Sequence, residues 1–167
     1  LYNKESGITG LIKEAKKDLE ALQTAKFDAI MFGNENDRPY QLNVDTASTA
    51  AAAYIIGELK RDIKIPFGVD MLWDPMATIA LGTATKANFV REIFTGTYSS
   101  DMGIWAPNAG EALRYKQNLG SDEMLLLFNI SAEFAYSQDR RPLTDRARSV
   151  VFSSCLLYTS DAADDHH

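Results

Sequence analysis

Short apolar runs alternate with amphipathic segments along this chain. Four runs have the length and composition of buried β-strands, and they lie at 27–33, 65–72, 88–94 and 124–130. Around them, apolar residues recur at helical spacing and predict helices over 7–25, 46–61, 75–85, 109–119 and 144–154. The order α-β-α-β-α-β-α-β-α predicts an α/β fold, and strands that are apolar throughout indicate a parallel sheet.

Capping residues mark three of the helix starts. Asp45 or Thr46 precedes the second helix, and Asp74 followed by Pro75 is typical of an N-cap and first helical position. Asn108, with an acidic residue three positions later, resembles a capping box. Asp74 is therefore expected to cap a helix rather than to act in a site.

The spacing of the predicted strands leaves two architectures open. The strands start near residues 27, 65, 89 and 124. Successive starts are thus 38, 24 and 35 residues apart. These spacings are scattered about the ~31 residues that one unit of a (β/α)8 barrel occupies on average. A flavodoxin-like open sheet gives the same local alternation of strands and helices.

The composition is that of an ordinary globular domain. The 167 residues are 46% hydrophobic, which suits about one domain. The net charge is −6 and no basic stripe is present, so we do not expect a nucleic-acid partner. The longest purely apolar stretch, 50–56, is far shorter than the ~20 residues of a transmembrane segment. A single cysteine, Cys155, leaves no internal disulfide, and we expect a cytoplasmic protein.

The segment 155–167 needs a separate interpretation. It resembles the conceptual translation of a transposase mosaic-end adapter used in sequencing libraries, so we expect a domain at 1–154 and a non-native tail. Both histidines and the only cysteine lie in this tail. The domain itself therefore supplies no histidine base, no His/Cys zinc site and no thiol nucleophile. Neither a P-loop nor a dinucleotide-binding glycine motif is present.

Five separated sequence blocks resemble the BtpA/SgcQ family. They lie at 29–35, 65–75, 89–96, 101–105 and 127–133, and the third contains the Arg-Glu-Ile-Phe-Thr-Gly sequence of the SgcQ branch. The resemblance implies a TIM-type (β/α)8 barrel, present here as a partial barrel with strands two to five. It also implies a strand before Leu1 and about three βα units after Ser154. One departure is Asp70, where relatives often carry Asn.

The resemblance leaves the reaction open. The family takes its name from a role in photosystem I biogenesis, and its members are also described as phosphoribosylanthranilate-isomerase-like barrels. Neither description identifies a substrate for the SgcQ branch.

Polar residues gather where each predicted strand ends. The carboxyl ends of parallel strands meet on one face, where α/β proteins build their active sites. A carboxylate in a partly apolar cleft suits general acid or base catalysis, and the candidates are Glu35, Glu92 and Asp101. The candidates for binding a substrate are Asn34, Asp70, Arg91, Thr95, Gly96, Asn129 and Glu133. Two or three of the carboxylates together would also suit a divalent metal such as Mg²⁺.

Two of these candidates are adjacent in one strand. The side chains of Arg91 and Glu92 must point to opposite faces, and the sequence does not say which faces the site. An inward Arg91 would bind a phosphate or carboxylate, or would pair with an acid on a neighbouring strand. The hydroxyl and flexible backbone of Thr95 and Gly96 also suit an anion.

The sequence is compatible with two functions. The first is an enzyme acting on a small phosphorylated or sugar-like metabolite, with the strand-end carboxylates as acid and base. The alternative is a non-catalytic assembly factor for a membrane protein complex of the photosystem I type. An enzyme should have a pocket lined by those acids, whereas an assembly factor should expose an apolar patch.

Overall fold

The computed structural model describes residues 5–152 and 157–159. The helices are α1 Gly7–Thr24, α2 Thr46–Leu59, α3 Pro75–Thr85, α4 Ala109–Asn118 and α5 Leu143–Phe152. The strands are β1 Ile30–Gly33, β2 Phe67–Asp70, β3 Phe89–Glu92, β4 Tyr98–Ser100, β5 Gly103–Trp105, β6 Leu125–Asn129, β7 Tyr136–Ser137 and β8 Leu157–Thr159. All five predicted helices and all four predicted strands are present.

The main sheet is parallel, which confirms the α/β class. Its strand order is β1-β2-β3-β6-β8, so each strand lies beside the next sheet strand along the chain. A flavodoxin-like sheet would have the order 2-1-3-4-5 instead. Because β-α-β crossovers are right-handed, strands added in one direction carry their helices on one face. Consistent with this, α1 packs on α2, α2 on α3 and α3 on α4.

The predicted caps fix the helix starts. The side chain of Asp45 accepts a hydrogen bond from the Ser48 N–H at 2.9 Å, and that of Asn108 accepts one from the Glu111 N–H at 3.2 Å. Asp74 Oδ1 accepts from two backbone N–H groups in the first turn of α3, at 3.1 and 2.9 Å. These bonds satisfy donors that a helix start leaves without partners.

One face of the main sheet packs against the helices. Phe32, Val69, Val90 and Leu126 are register partners on neighbouring strands and belong to the main hydrophobic core. Helix α3 approaches the sheet closely at Gly82. A Cβ there would lie 2.6 Å from both a Val90 methyl and the sulfur of Met124, so the helix and the sheet pack without room for a side chain.

The opposite face of the main sheet is more open. It carries Met31, Gly68, Phe89 and Leu125 in one register row, and Met31 and Leu125 are 37% and 39% exposed. The Phe89 ring lies over Gly68 so closely that a Cβ at that position would overlap it. This glycine is therefore needed because the aromatic ring of the next strand takes the place of a side chain.

A second, smaller sheet replaces part of the expected loops. Strands β5, β4 and β7 pair antiparallel in that order, joining the segment after β3 to the segment after β6. Tyr98 and Trp105 are register partners in this sheet and pack with Ile93 and Ala132 in a second buried cluster. The segment 95–107, which lies between the predicted strand 88–94 and the predicted helix 109–119, is therefore ordered into a hairpin that follows the carboxyl end of β3.

The chain end is described only in part. The backbone of Leu157–Thr159 forms β8 and pairs parallel with β6. The expected boundary between residues 154 and 155, and residues 160–167 of the expected non-native tail, lie outside the described residues. Among the helices of the described residues, none combines the length and apolarity needed to cross a membrane.

Candidate functional site

Four parallel strands bring polar side chains to their carboxyl ends. Asn34 follows β1 directly, whereas Asp70, Glu92 and Asn129 are the last residues of β2, β3 and β6. Because these strands are neighbours in the sheet, the four residues form a row across its carboxyl edge. We call this row the strand-end cluster.

Asp70 and Glu92 form a buried carboxyl pair within this cluster. Each side chain belongs to a residue only 2% exposed, and each acid affects the protonation of the other. Asp70 Oδ1 has no hydrogen-bond donor among the described residues. Two buried carboxyl groups that interact in this way disfavour a state in which both are ionised.

Burial shifts the titration of both acids. It raises the pKa of Asp70 to about 7, a rise that the charge of Glu35 increases and the charge of Arg91 opposes. Burial also raises the pKa of Glu92 well above its usual value, and the charge of Asp70 adds to the rise. The backbone N–H groups of Ile93 and Trp73 donate to Glu92 and limit this shift. Both acids therefore keep their protons to a higher pH than they would in water.

The loop after β2 holds Glu92 through Trp73. The Trp73 N–H donates to Glu92 Oε1, and its backbone has a left-handed φ of +72°. Its ring stacks on Trp105 with centroids 6.1 Å apart and contacts Tyr40 at 5.9 Å. The Trp105 indole N–H is buried and has no partner among the described residues. The loop whose backbone holds Glu92 therefore also carries a stack of aromatic rings.

A groove of about 440 Å³ opens onto Asp70. It lies between α1, α2 and the carboxyl end of β1, and Glu35 and Asp70 both line it. Glu35 is exposed, whereas Asn34 is half-buried and accepts a hydrogen bond from the Leu72 N–H at 2.8 Å. Asn34 thus ties the loops after β1 and β2 together. The groove gives a small ligand access to one member of the buried pair.

The structure decides which of the adjacent residues Arg91 and Glu92 lies on which face. Arg91 is in register with Leu127, in the row of the open face, and Glu92 is in register with the core residue Phe128. The Arg91 Nε donates to Asn129 Oδ1 at 2.8 Å. Arg91 therefore lies on the same sheet face as Asp70, whose pKa it lowers.

Four other candidates lie outside the strand-end cluster. Asp101 is exposed in the turn between β4 and β5 and does not line the groove, and Glu133 is exposed in the loop after β6. Thr95 and Gly96 line a second cavity instead. The sequence also places Asp74 correctly as a cap, since it is buried and accepts from the Val44 N–H at 2.8 Å.

The described carboxylates do not form a ready-made metal site. In the part of the chain that the structure describes, no group of three His, Cys, Asp or Glu side chains is arranged to hold a metal ion.

Comparison with known proteins identifies the family. The BtpA family model matches residues 2–159, which include all strands of the main sheet and the whole strand-end cluster. The chain belongs to the BtpA family. This confirms the resemblance that the five sequence blocks carry.

The curated relatives agree with this assignment. The chain is 46% identical over 153 residues to the sgc region protein SgcQ of Escherichia coli, which covers 92% of this chain and 57% of SgcQ. It is 31% identical over 122 residues to the photosystem I biogenesis protein BtpA of Synechocystis, covering 71% of this chain and 42% of that relative. An uncharacterised protein of Archaeoglobus fulgidus is 34% identical over 113 residues, which are 66% of this chain and 46% of that protein.

These matches cover only part of each relative. The chain spans about half the length of the curated relatives it matches. No solved structure matches the chain significantly.

Proposed function

We propose that this chain carries the proton-transfer groups of a BtpA-family enzyme that acts on a small phosphorylated or sugar-like metabolite. The observation that carries the proposal is the buried Asp70–Glu92 pair at the carboxyl end of a parallel sheet. A general acid or base works best when its pKa is close to the working pH. The pKa of Asp70, raised to about 7 by burial, meets this requirement.

The proposed architecture is a partial (β/α)8 barrel. The consecutive strand order and the single helix layer support it, because a barrel adds each βα unit in the same direction. The exposed row with Met31 and Leu125 supports it as well. In a closed barrel such a row would face the interior and pack against side chains of further strands.

We assign roles within the proposed site by position. Asp70 and Glu92 hold the proton, and Glu35 acts as a second acid or base from the groove wall. Arg91, with Asn129 and Asn34, binds polar groups of the ligand. The catalytic role of Asp101 and the binding role of Glu133 stay predictions, as does a cytoplasmic location.

A partner-docking function is the second candidate. Ile104 and Tyr136 both pair with Ser99 in the small sheet, lie on its outer face and are 77% and 66% exposed. Phe134, two residues before Tyr136, is 85% exposed. These residues form a small apolar surface of the kind that an assembly factor would present. The name of the Synechocystis relative refers to photosystem I biogenesis, and this supports the alternative.

A ligand screen with matched variants separates the two functions. Thermal unfolding of the chain is measured against sugar phosphates, with and without Mg²⁺, for the original sequence and for Glu35→Gln and Glu111→Gln. Glu111 is exposed in the first turn of α4 and serves as the control. The enzyme proposal expects stabilisation by at least one ligand, which Glu35→Gln weakens and Glu111→Gln leaves unchanged. Stabilisation by none of the ligands, or an equal response of both variants, would overturn the proposed site.

A further inference from the structure

A second cavity lies between the small sheet and α5. Its volume is about 230 Å³, and its walls come from the segments after β3 and β6, from β7 and from α5. Thr95 and Gly96 form one wall, and Arg141 and Arg146 lie on the α5 side. Since one water molecule occupies about 30 Å³ in the liquid, the cavity has room for a tetrahedral oxyanion and several waters.

Arg146 reaches this cavity with unused hydrogen-bonding capacity. Its Nη1 donates two long bonds, to the Ile130 carbonyl at 3.4 Å and to Ser137 Oγ at 3.3 Å. Its Nε is buried and has no acceptor among the described residues. Within the same residues, no carboxylate lies within 4 Å of its guanidinium group. A buried N–H of a charged group without an acceptor is costly, so a ligand oxygen at this position would be favourable.

Arg141, in contrast, is fully engaged within the protein. It binds Asp139 through Nε and Nη2, the latter at 2.6 Å, and donates to Ser149 Oγ at 2.9 Å. The Arg141 side chain lowers the pKa of Asp139 to about 2, so this carboxylate stays ionised at neutral pH. Asp139 also lines the cavity, and the charge of Arg146 contributes to lowering its pKa. Two arginines therefore share one carboxylate, which leaves one positive charge in excess at the cavity.

We propose that this cavity binds a phosphate-type oxyanion through Arg146. The planar guanidinium group donates several N–H bonds in a geometry that matches phosphate oxygens. The backbone at Gly96, with φ of +104°, and the side chain of Thr95 close the opposite wall. No comparison assigns a ligand to this cavity, and its arginines were not among the residues that the sequence singled out.

The cavity is close enough to the carboxyl pair to serve the same substrate. Thr95 follows Glu92 by three residues, so their backbones are at most ~10 Å apart. Only this link to a substrate rests on the proposed function, in which the ligand carries a phosphate. Binding of the anion itself stands on the geometry around Arg146.

The test uses inorganic phosphate as the probe and two arginines of the same helix. Phosphate binding to the chain is measured by calorimetric titration, with chloride at equal ionic strength as the reference. Arg146→Gln should weaken binding by about tenfold or more, since it removes charge-assisted bonds to the anion. Arg148→Gln is the matched control, because its side chain is 84% exposed and pairs only with the exposed Asp145 at 3.4 Å among the described residues.

Two further variants keep the result interpretable. Arg146→Lys retains the charge and should retain the fold, but it lacks Nε and should bind phosphate more weakly than the original chain. Glu92→Gln should leave phosphate binding unchanged, which separates this proposal from that of the proton-transfer site. The anion site is wrong if the original chain does not bind phosphate, or if Arg148→Gln weakens binding as much as Arg146→Gln does.

Discussion

Asp70 and Glu92, the last residues of two neighbouring parallel strands, are both buried, and each affects the protonation of the other. Two such groups would repel each other if both were ionised, and the surrounding protein offers Asp70 Oδ1 no donor. Glu92, by contrast, is held by two backbone N–H groups. The arrangement therefore stabilises a singly protonated pair and gives the protein a titration near neutral pH.

This titration predicts how stability depends on pH. The Asp70 pKa rises from 3.8 to about 7 on folding, so the folded state binds more protons than the unfolded state between these values. The contribution of this group to the free energy of unfolding is therefore full below pH 3.8 and is lost as the pH rises to about 7. Urea unfolding at a series of pH values should show this decrease.

Variants of the pair test its origin. Burial raises the pKa of Glu92 as well. Glu92→Gln removes this second titrating group, so the decrease in unfolding free energy with rising pH should become smaller. Asp101→Asn removes an exposed carboxylate and should leave the slope unchanged. Equal slopes in all three proteins would mean that the Asp70–Glu92 pair does not titrate as described.

Arg91 should control the Asp70 titration. Its charge lowers the pKa of Asp70 from the open face of the sheet, so Arg91→Gln should raise that pKa above about 7. Carbon-13 NMR of the aspartate carboxyl groups measures the change directly. Arg114→Gln, on the exposed side of α4, is the control for loss of one positive charge. An unchanged Asp70 pKa in Arg91→Gln would contradict the proposed electrostatic coupling.

Gly68 should be sensitive to the smallest substitution. A Cβ at Gly68 would overlap the Phe89 ring, so Gly68→Ala should destabilise the fold by ~1–3 kcal/mol through overpacking. In a Phe89→Leu background the same change should cost less, because the ring is gone. The measurement is a double-mutant cycle by chemical denaturation.

A second glycine provides the control for that cycle. Gly57 lies in α2, and a Cβ there meets nothing within 4 Å. Gly57→Ala should therefore stabilise the protein by ~0.5–1 kcal/mol, as expected for a helix interior. A destabilisation of Gly68→Ala that does not depend on residue 89 would place its cause elsewhere.

The parts of the fold that depend on local chemistry were predictable from the sequence. Asp74 and Asn108 each accept backbone N–H groups of the helix that follows, and such bonds involve residues two or three positions apart. The order of the strands is a different problem, because spacing alone fits either a barrel or an open sheet. The small sheet was missed because it pairs Tyr98 with Ser137, far apart in sequence, through strands of two or three residues.

The candidate site was predictable in part for the same reason. The sequence shows where each apolar run ends, and the ends of parallel strands lie at the same edge of the sheet. This places Asp70 and Glu92 at the carboxyl edge. That both are buried and affect each other's protonation depends on register and on the Trp73 loop, which no local sequence pattern reports. Arg146 gave no signal at all, since an arginine in an amphipathic helix is most often a solvated residue.

The open face of the sheet predicts self-association of this chain. Met31 is 37% exposed on β1, and among the described strands β1 pairs on one side only. An edge strand with an exposed apolar side chain is prone to association, and a lysine at such a position opposes it. Sedimentation velocity should therefore show concentration-dependent oligomers that Met31→Lys reduces. Tyr54→Lys adds the same charge on α2, where Tyr54 is 53% exposed. If both lysine variants reduce association equally, net charge rather than the exposed sheet is responsible.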